Sequence, residues 1–329
     1  MALPGALRIS VVIPNWNGAR RLAGLLESLD QQTERGCEVL VVDNGSSDTS
    51  QQTVHALGAT WIPLDRNYGF ARAVNTGIQR AKGDAVAILN NDLTIAPNFL
   101  ERLSAPLSTY AFATPKILMA SDPARLDGTF DLTSRGFCSW RAGYGFPASG
   151  TAWNRPRAID SAPMTAALFR RSVFDEVGLL DEQFGSYLED VDFGIRCGLN
   201  HIRGCYEPTA VAWHEGSVTL GGEWNRSSVR LIARNQVLLA KKYGGLWSWP
   251  VLLGQSLWGL TALKRGVAGA WIQGKIEGGR LAVAPCGVEC GGRVREMLLS
   301  QEREIPGLMA ESGTRQAYWS YYLALSGKL

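Results

Sequence analysis

The sequence lacks the glycine motifs, leader segment and cysteine pattern that define several common protein classes. It contains no G-x-G-x-x-G and no G-x-x-x-x-G-K-[ST] motif, which excludes the usual dinucleotide and phosphate-loop sites. No basic segment followed by an apolar run and a cleavage site opens the chain, so we expect no signal peptide. Of six cysteines, the closest pair, Cys286 and Cys290, has no second pair to complete a zinc ribbon, so we expect reduced thiols.

Charge is sparse and unevenly placed. Charged residues make up 19% of the chain and hydrophobic residues 46%, a composition typical of a globular protein. The net charge is +3, yet no Asp or Glu lies between Trp224 and Ile276, where eight Lys and Arg residues leave 3 − 8 = −5 for the rest. This asymmetry indicates an anionic partner for the later part of the chain, either a membrane surface or a phosphate-rich substrate.

Strand and helix patterns alternate over the first ~110 residues. Apolar, β-branched runs are followed by segments with helical spacing, such as Leu22, Leu25, Leu26 and Leu29. The alternation predicts an α/β fold with a doubly wound, mostly parallel sheet. The first four strands are expected in LRISVVIPN, CEVLVVD, ATWIPL and DAVAILN.

Polar loops follow three of these strands. They are Pro14-Asn15-Trp16-Asn17, Asp43-Asn44-Gly45 and Asn90-Asn91-Asp92. Ordinary turn chemistry explains any one of them, because Asn, Asp and Gly favour turns. The carboxyl ends of parallel strands share one sheet edge, where open α/β folds bind ligands, so three such loops together favour a site.

Three acidic residues crowd one predicted helical turn later in the chain. Glu189, Asp190 and Asp192 fall within four positions, and Arg196 lies four residues beyond Asp192. Their mutual repulsion tends to raise the pKa of a carboxyl group, which suits a general base. The alternative is a structural helix start, in which acids pair with the helix dipole and with the arginine.

Six segments carry a further signal through their order: VVIPNWNG, VVDNGSSDTS, NYGFARAVNTGI, LNNDLTI, GLLDEQFGSYLEDVDFGIR and WHEGS. Together they resemble the family-two inverting glycosyltransferases of fold type A, and most closely the bacterial rhamnosyltransferase-like enzymes. Each segment alone is a weak signal, but the ordered set spans roughly residues 8–240 and is specific. The resemblance implies the sheet architecture of nucleotide-diphospho-sugar transferases.

The resemblance also implies a nucleotide site. The first loop would lie against the nucleoside, Asp43 would accept a hydrogen bond from a pyrimidine ring, and Asn67, Gly69 and Asn75 would lie near the ribose and diphosphate. The candidate nucleotide-binding residues are Pro14, Asn15, Asn17, Asp43, Asn44, Asn67, Gly69, Asn75 and Asn91.

Metal and catalytic roles follow from the same resemblance. Asp92 matches the last residue of the family's D-x-D motif and would bind Mn²⁺ or Mg²⁺. His214 would be a second metal or diphosphate contact, its alternative being a structural histidine. Asp190 would be the catalytic base, beside Glu189. Two departures are a motif with one carboxylate in place of two, and Gly185 where an aromatic residue is usual.

An uncharged run covers residues 243–263. Its 21 positions match the length of a membrane-spanning helix. Glycines and a proline weaken that interpretation, and Trp247, Trp249 and Trp258 favour a helix lying at a membrane surface. A buried core helix or a dimer contact is the alternative. Three arginines at four-residue spacing would meet lipid phosphates or a lipid-linked diphosphate: Arg226, Arg230 and Arg234.

We therefore expect a catalytic domain over residues 1–222 and a helical C-terminal extension over 223–329. The expected reaction transfers a sugar, with dTDP-rhamnose as the first choice of donor, to a lipid-linked or polysaccharide acceptor in cell-envelope glycan synthesis. A sugar-nucleotide nucleotidyltransferase and a non-catalytic sugar-nucleotide-binding protein are the alternatives. We expect a cytoplasmic protein, peripheral at the inner face of an anionic membrane, without a nucleic-acid partner. Monomeric and homo-oligomeric states both stay open.

Overall fold

A mixed sheet of ten strands organises the part of the chain that the computed structural model describes, residues 7–216, 224–313 and 316–327. Its first four strands are all parallel to one another, as the alternation predicts. The elements of this half are β1 (Ile9–Asn15), α1 (Ala19–Asp30), β2 (Glu38–Asp43), α2 (Ser50–Ala56), β3 (Thr60–Pro63), α3 (Phe70–Arg80) and β4 (Ala85–Leu89).

The second half of the sheet mixes strand directions. Its elements are β5 (Leu93–Ile95), α4 (Phe99–Ser104), β6 (Phe112–Met119), β7 (Asp122–Gly128), β8 (Asp131–Thr133), β9 (Ser139–Arg141), β10 (Arg157–Ile159), β11 (Ala166–Arg170), α5 (Ser172–Val177), α6 (Glu189–Leu199) and β12 (Gly204–His214). Strand β11 lies between β4 and β6 and is antiparallel to both, whereas β12 runs parallel to β6. The sheet order is β10-β12-β6-β11-β4-β1-β2-β3, with β5 on β12 and β7 on β6.

Helices cover both faces of the parallel strands. Leu22 and Leu25 of α1 pack with Ile13 of β1 on one face. Val74 of α3 packs with Val12 of the same strand on the other face. Neighbouring residues of one strand thus point into different cores, and the strand reads as a continuous apolar run because both of its faces are buried.

The chain beyond residue 224 is helical. Its helices are α7 (Arg226–Tyr243), α8 (Trp249–Lys264), α9 (Ala268–Arg280), α10 (Val288–Glu311) and α11 (Ala317–Ser326). The uncharged run at 243–263 is divided, because α7 ends at Tyr243 and two glycines with positive φ precede α8. Among the described residues, none of the helices has the length and apolar character needed to cross a membrane.

The last helices pack against a small hairpin, β8–β9, which lies beside the main sheet. The backbone N–H of Thr133 donates to Gln301 Oε1 at 2.7 Å, and Arg135 Nε donates to Glu302 Oε2 at 2.8 Å. Both acceptors belong to α10, so the C-terminal helices fix the position of a hairpin formed far earlier in the chain.

Candidate active site

The three polar loops meet at one sheet edge. Asn15, at the end of β1, donates from Nδ2 to Asp43 Oδ1 at 3.0 Å, and its Oδ1 accepts from Asn91 Nδ2 at 2.7 Å. All three side chains are buried. Asp43 also accepts from the backbone N–H of Ser46 at 2.8 Å. The hydrogen bonds between loops hold the carboxylate of Asp43 at a fixed point on this edge.

Gly18 makes room for this network. A β-carbon at Gly18 would lie 2.2 Å from Asn91 Nδ2 and 2.8 Å from Asn15 Oδ1. Real β-carbons do not approach so closely, so the first loop needs glycine here for the two amides to pair.

The rest of the first loop is tied to the second. Asn17 has a left-handed backbone with φ of 48°, and its Oδ1 accepts from the N–H of Ser47 at 2.8 Å. Its own N–H donates to Ser46 Oγ at 2.8 Å. Pro14 lies in β1 beside Val42 of β2 and is half-buried. These contacts shape the loop that the resemblance assigns to the nucleoside.

The loop before α3 is built around Gly69. Asn44 donates from Nδ2 to the carbonyl of Gly69 at 2.9 Å and accepts from the N–H of Tyr68 at 2.9 Å. Asn67 Oδ1 accepts from the N–H of Gly69 at 2.9 Å. With φ of 91°, Gly69 adopts a backbone conformation that side chains disfavour. Asn44 and Asn67 thus position this loop through their side chains.

Asn75 is buried and hydrogen-bonded inside the protein. It is 3% exposed, donates from Nδ2 to the carbonyl of Leu180 at 2.9 Å and to Glu182 Oε1 at 3.0 Å, and accepts from the N–H of Leu180. Both amide hydrogens are therefore used inside the protein. Asn75 joins α3 to the loop before α6, and its place near the ribose and diphosphate stays a prediction.

Asp92 and His214 lie together although 122 positions separate them (214 − 92). His214 ends β12 and pairs with Leu93 of β5, and its Nε2 lies 3.1 Å from Asp92 Oδ1. Its Nδ1 lies 2.9 Å from Asp127 Oδ2. Burial lowers the pKa of His214, but its hydrogen bonds with Asp127 and Asp92 outweigh burial and raise the pKa to about 9.

These residues fit a divalent metal. Asp92 Oδ1 is buried, and an ion bound there would replace its 3.1 Å contact with His214 Nε2. Asp127 holds the other ring nitrogen of His214, an arrangement that would orient Nε2 for such an ion. Within the described ranges no group of three or more His, Cys, Asp or Glu side chains is arranged to hold an ion. The protein would therefore supply Asp92 and His214 as metal ligands. Oxygen atoms of the diphosphate and of water would supply the remaining ligands.

The sequence did not lead us to Asp127. It lies near the end of β7 as a single acidic residue outside any recognised motif. Only the pairing of β7 and β12 with β6 brings it to His214. No local pattern signals that contact.

The acidic cluster opens α6. Asp192 is fully buried and binds Arg196 Nε at 2.9 Å, Lys242 Nζ at 2.8 Å and the hydroxyl of Tyr243 at 2.7 Å. Asp190 is half-buried and accepts from the N–H of Val191 at 2.8 Å. Asp192 therefore has the structural role that was the alternative for the cluster.

Two carboxyl groups of the cluster differ from Asp192. Glu189 is buried, and its Oε2 has no hydrogen-bond partner. Burial, and then the charge of Asp190, raise the pKa of Glu189, and burial also raises the pKa of Asp190. A carboxylate that binds a proton more readily is suited to general-base work near neutral pH.

The turn before α6 is held by α7. Tyr187 and Leu188 both have positive φ, 71° and 65°. Asn235 Nδ2 donates to the carbonyls of Phe184, Ser186 and Tyr187 at 3.0, 2.9 and 2.6 Å. Sequence reasoning missed Asn235, which fixes the approach to Asp190.

The arginines of α7 are also engaged with protein. Arg234 donates to the carbonyl of Gln183 at 3.1 Å, and Arg230 binds Glu277 at 2.8 Å. The interpretation that Arg226, Arg230 and Arg234 face lipid phosphates together is therefore corrected, because two of the three hold neighbouring elements.

Relatives with this sequence pattern are glycosyltransferases. N-acetylglucosaminyl-diphospho-decaprenol L-rhamnosyltransferase of Mycobacterium tuberculosis is 28% identical over 271 residues, which cover 74% of this chain and 87% of the relative. Uncharacterized glycosyltransferase YwdF of Bacillus subtilis is 26% identical over 197 residues, covering 59% of this chain and 69% of the relative.

Solved structures share the fold. GalNAc-T7 with UDP, GalNAc and Mn²⁺ matches with a TM-score of 0.60 and 14% identity, over 98% of this chain and 57% of that one. The mannosyltransferase PcManGT from Pyrobaculum calidifontis, in complex with GDP-Man and Mn²⁺, matches with a TM-score of 0.51 and 16% identity, over 98% and 87%. At these identities the likeness establishes the α/β fold.

Family membership follows from the sequence itself. The family "Glycosyl transferase family 2" matches residues 10–178, more than half of the 329 residues. The match begins within β1 and contains the three polar strand-end loops, while α6 and His214 lie beyond it. The protein has the α/β fold of type A glycosyltransferases, and it belongs to glycosyl transferase family 2.

Proposed function

We propose that the protein is a metal-dependent inverting glycosyltransferase that transfers rhamnose from dTDP-rhamnose to a lipid-linked or polysaccharide acceptor of the cell envelope. The observation that carries the proposal is the 3.1 Å contact of Asp92, which follows β4, with His214, the last residue of β12. The rhamnosyltransferase relative from M. tuberculosis supports the choice of sugar and of a lipid-diphosphate acceptor. UDP-galactose, UDP-N-acetylglucosamine and GDP-mannose are the competing donors.

The donor side is formed by the strand ends. Asp43 would accept a hydrogen bond from the pyrimidine ring of the donor, in a position fixed by Asn15 and Ser46. Asp92 and His214 would hold Mn²⁺ or Mg²⁺, which neutralises the charge that develops on the leaving diphosphate. This arrangement requires the diphosphate to lie at the carboxyl ends of β4 and β12.

The catalytic base, Asp190, acts from the side of the sugar opposite the diphosphate. The carboxylate of Asp190 takes the proton of the attacking acceptor hydroxyl, whose oxygen forms a bond to the anomeric carbon. The bond from that carbon to the diphosphate oxygen breaks, and the nucleoside diphosphate leaves with the electron pair. General-base assistance contributes about 10²–10⁴-fold to such a step.

The C-terminal extension, residues 223–329, is proposed to meet an anionic membrane at the cytoplasmic face. Its α8 exposes Leu260 by 61% and Leu263 by 63%, and Trp247 just before it by 81%. Lys264 and Arg265 follow directly and are exposed. Exposed Trp and Leu beside basic residues favour adsorption to anionic lipid. A contact between two copies of the chain is the competing explanation.

A donor screen followed by a transfer assay tests the function. Thermal shifts would be measured with dTDP-rhamnose, UDP-galactose, UDP-N-acetylglucosamine and GDP-mannose, each with and without Mn²⁺. A ligand at 100 times its Kd stabilises by ~2.7 kcal/mol. We expect the largest Mn²⁺-dependent shift with dTDP-rhamnose, and transfer to an N-acetylglucosaminyl-diphospho-lipid. A nucleotide sugar formed from a sugar phosphate, or binding without transfer to any acceptor, would contradict it.

A further inference from the structure

Two cysteines outside the proposed reaction centre lie together where α10 begins. Cys286 directly precedes Gly287, the N-cap residue of α10, and Cys290 is the third residue of that helix. Both residues are half-exposed and carry free thiols. Both line one surface concavity of about 430 Å³. The two thiols are therefore open to small molecules at the same place on the surface.

The first turn of α10 brings these cysteines side by side. The N–H of Gly291 donates to the carbonyl of Gly287 at 3.0 Å, which closes the turn. Cys286 and Cys290 precede the two ends of that turn, four positions apart, and residues at this spacing are neighbours on a helix surface. Both side chains pack against one buried cluster that contains Tyr243. This placement suits a disulfide, whose α-carbons are about 4.4–6.8 Å apart.

A structural metal is the alternative use of two neighbouring thiols. A structural zinc ion takes four protein ligands. Among the residues that the structure describes, no group of three or more His, Cys, Asp or Glu side chains could hold an ion. The pair therefore fits a bond between the two sulfur atoms better than a metal.

The two thiols differ in their surroundings. Cys290 lies in the first turn of α10, where the positive end of the helix dipole favours a thiolate. Burial, and then hydrogen bonding with Cys290, raise the pKa of the Cys286 thiol to about 12, and the charge of Cys290 adds to this effect. Cys290 is thus placed to attack first. Once its sulfur is in a mixed disulfide, its charge no longer opposes ionisation of Cys286.

We propose that Cys286 and Cys290 form a reversible disulfide, with a low-molecular-weight disulfide such as glutathione disulfide as the oxidant. The Cys290 thiolate attacks one sulfur of the oxidant, whose S–S bond breaks, and one small thiolate leaves with the electron pair. Cys286 then loses its proton to water, attacks the Cys290 sulfur and expels the second small thiolate. Two electrons pass from the protein thiols to the oxidant. The free thiols expected from the sequence are the reduced form of this pair.

The bond would form where α10 packs on the end of α7. The N–H of Cys286 donates to the carbonyl of Lys242 at 2.7 Å, and Lys242 Nζ lies 2.8 Å from Asp192 Oδ1. A β-carbon at Gly291 would lie 2.9 Å from the carbonyl oxygen of Tyr243. Oxidation would therefore restrain the segment that joins α9 to α10 at its contact with α7.

One tryptic peptide, residues 281–293, reports the bond directly, because both cysteines lie between Arg280 and Arg293 without another Lys or Arg between them. Wild type would be equilibrated with mixtures of reduced and oxidised glutathione, quenched with acid, alkylated and digested. We expect the peptide to lose two hydrogen atoms, to resist alkylation and to carry no glutathione. Dithiothreitol should restore both thiols.

Three variants are the controls. Cys286→Ser and Cys290→Ser should each carry one glutathione on the remaining thiol of the peptide. Cys37→Ser removes a half-buried cysteine that packs against a different cluster, so it should leave the disulfide unchanged.

The same titration in concentrated urea measures what the spacing of the two cysteines achieves without the fold. Folded wild type should form the disulfide at a ratio of oxidised to reduced glutathione lower by about tenfold or more, because the fold raises the effective concentration of one thiol at the other. Equal ratios in the folded and unfolded protein would overturn the proposal. Glutathione on both cysteines of folded wild type, or an unmodified peptide in excess glutathione disulfide, would also overturn it.

Discussion

Gly69 and Gly185 bring the proposed donor and acceptor sides of the site into backbone contact. A β-carbon at Gly69 would lie 2.7 Å from the carbonyl group of Gly185, and that carbonyl accepts from the N–H of Ala71 at 2.9 Å. Gly185, the departure from the family pattern, itself has φ of 66°. The loop before α3 thus rests on the loop that leads to α6.

This contact predicts that Gly69→Ala is destabilising. The new β-carbon would clash with the backbone of Gly185, and φ of 91° would be strained, at a cost of about 1–3 kcal/mol for each effect. Gly58→Ala is the control, because Gly58 has φ of 72° but open space around its β-carbon position. Denaturant unfolding should show a larger loss for Gly69→Ala. Equal losses of unfolding free energy in the two variants would show that backbone strain, and not the clash with Gly185, causes the effect.

Asp92→Ala should abolish Mn²⁺-dependent binding of the donor nucleotide and leave the fold intact. Asp92 offers the only carboxylate of the Asn90–Asp92 loop, so no neighbour in that loop replaces it. Asp84→Ala is the matched control, since Asp84 directly precedes β4 and pairs with Arg8 at the opposite end of the strand. Calorimetric titration of dTDP with and without Mn²⁺ measures the effect. Unchanged Mn²⁺-dependent affinity in folded Asp92→Ala would remove the metal role.

Asp190→Asn should reduce turnover about 10²-fold or more while donor affinity stays near normal. Asn has the size of Asp but does not accept the proton. Asp192→Asn should instead lower stability by about 3–5 kcal/mol, because Arg196 and Lys242 would lose their buried partner. Transfer rates and unfolding free energies of both variants, with Glu189→Gln, separate the roles. Normal turnover in Asp190→Asn would show that the base is another residue.

Reversing Lys264 and Arg265 to Glu should weaken binding to anionic vesicles roughly tenfold or more, because each basic residue near such a surface contributes about 1 kcal/mol. Added salt should weaken wild-type binding further. Arg80→Glu, an exposed change at the end of α3, is the control. Sedimentation with phosphatidylserine vesicles measures the effect. If wild type does not bind these vesicles at low salt, or sediments as a dimer, the exposed face of α8 is a contact between two copies of the chain.

Local pattern predicted the parallel strands and the sheet edge where their loops meet. Apolar runs that end near Asn15, Asp43 and Asn91 are enough to predict this edge, because parallel strands place their carboxyl ends together. The burial of Asn75 was not readable in this way, since the loop at Leu180 that covers it is more than 100 positions away. Asp127 was missed for the same reason: its partner His214 arrives through strand pairing, which no short segment encodes.

The β8–β9 hairpin depends on its hydrogen bonds to Gln301 and Glu302 of α10. The hairpin lies inside the family match, residues 10–178, but its anchors lie more than 120 positions beyond it. A chain shortened to end before α10 would leave the N–H groups of Thr133 and Arg135 without these acceptors. Grafting this hairpin into a relative would likewise require α10 to travel with it. The last helices thus complete a hairpin whose own residues lie inside the family match.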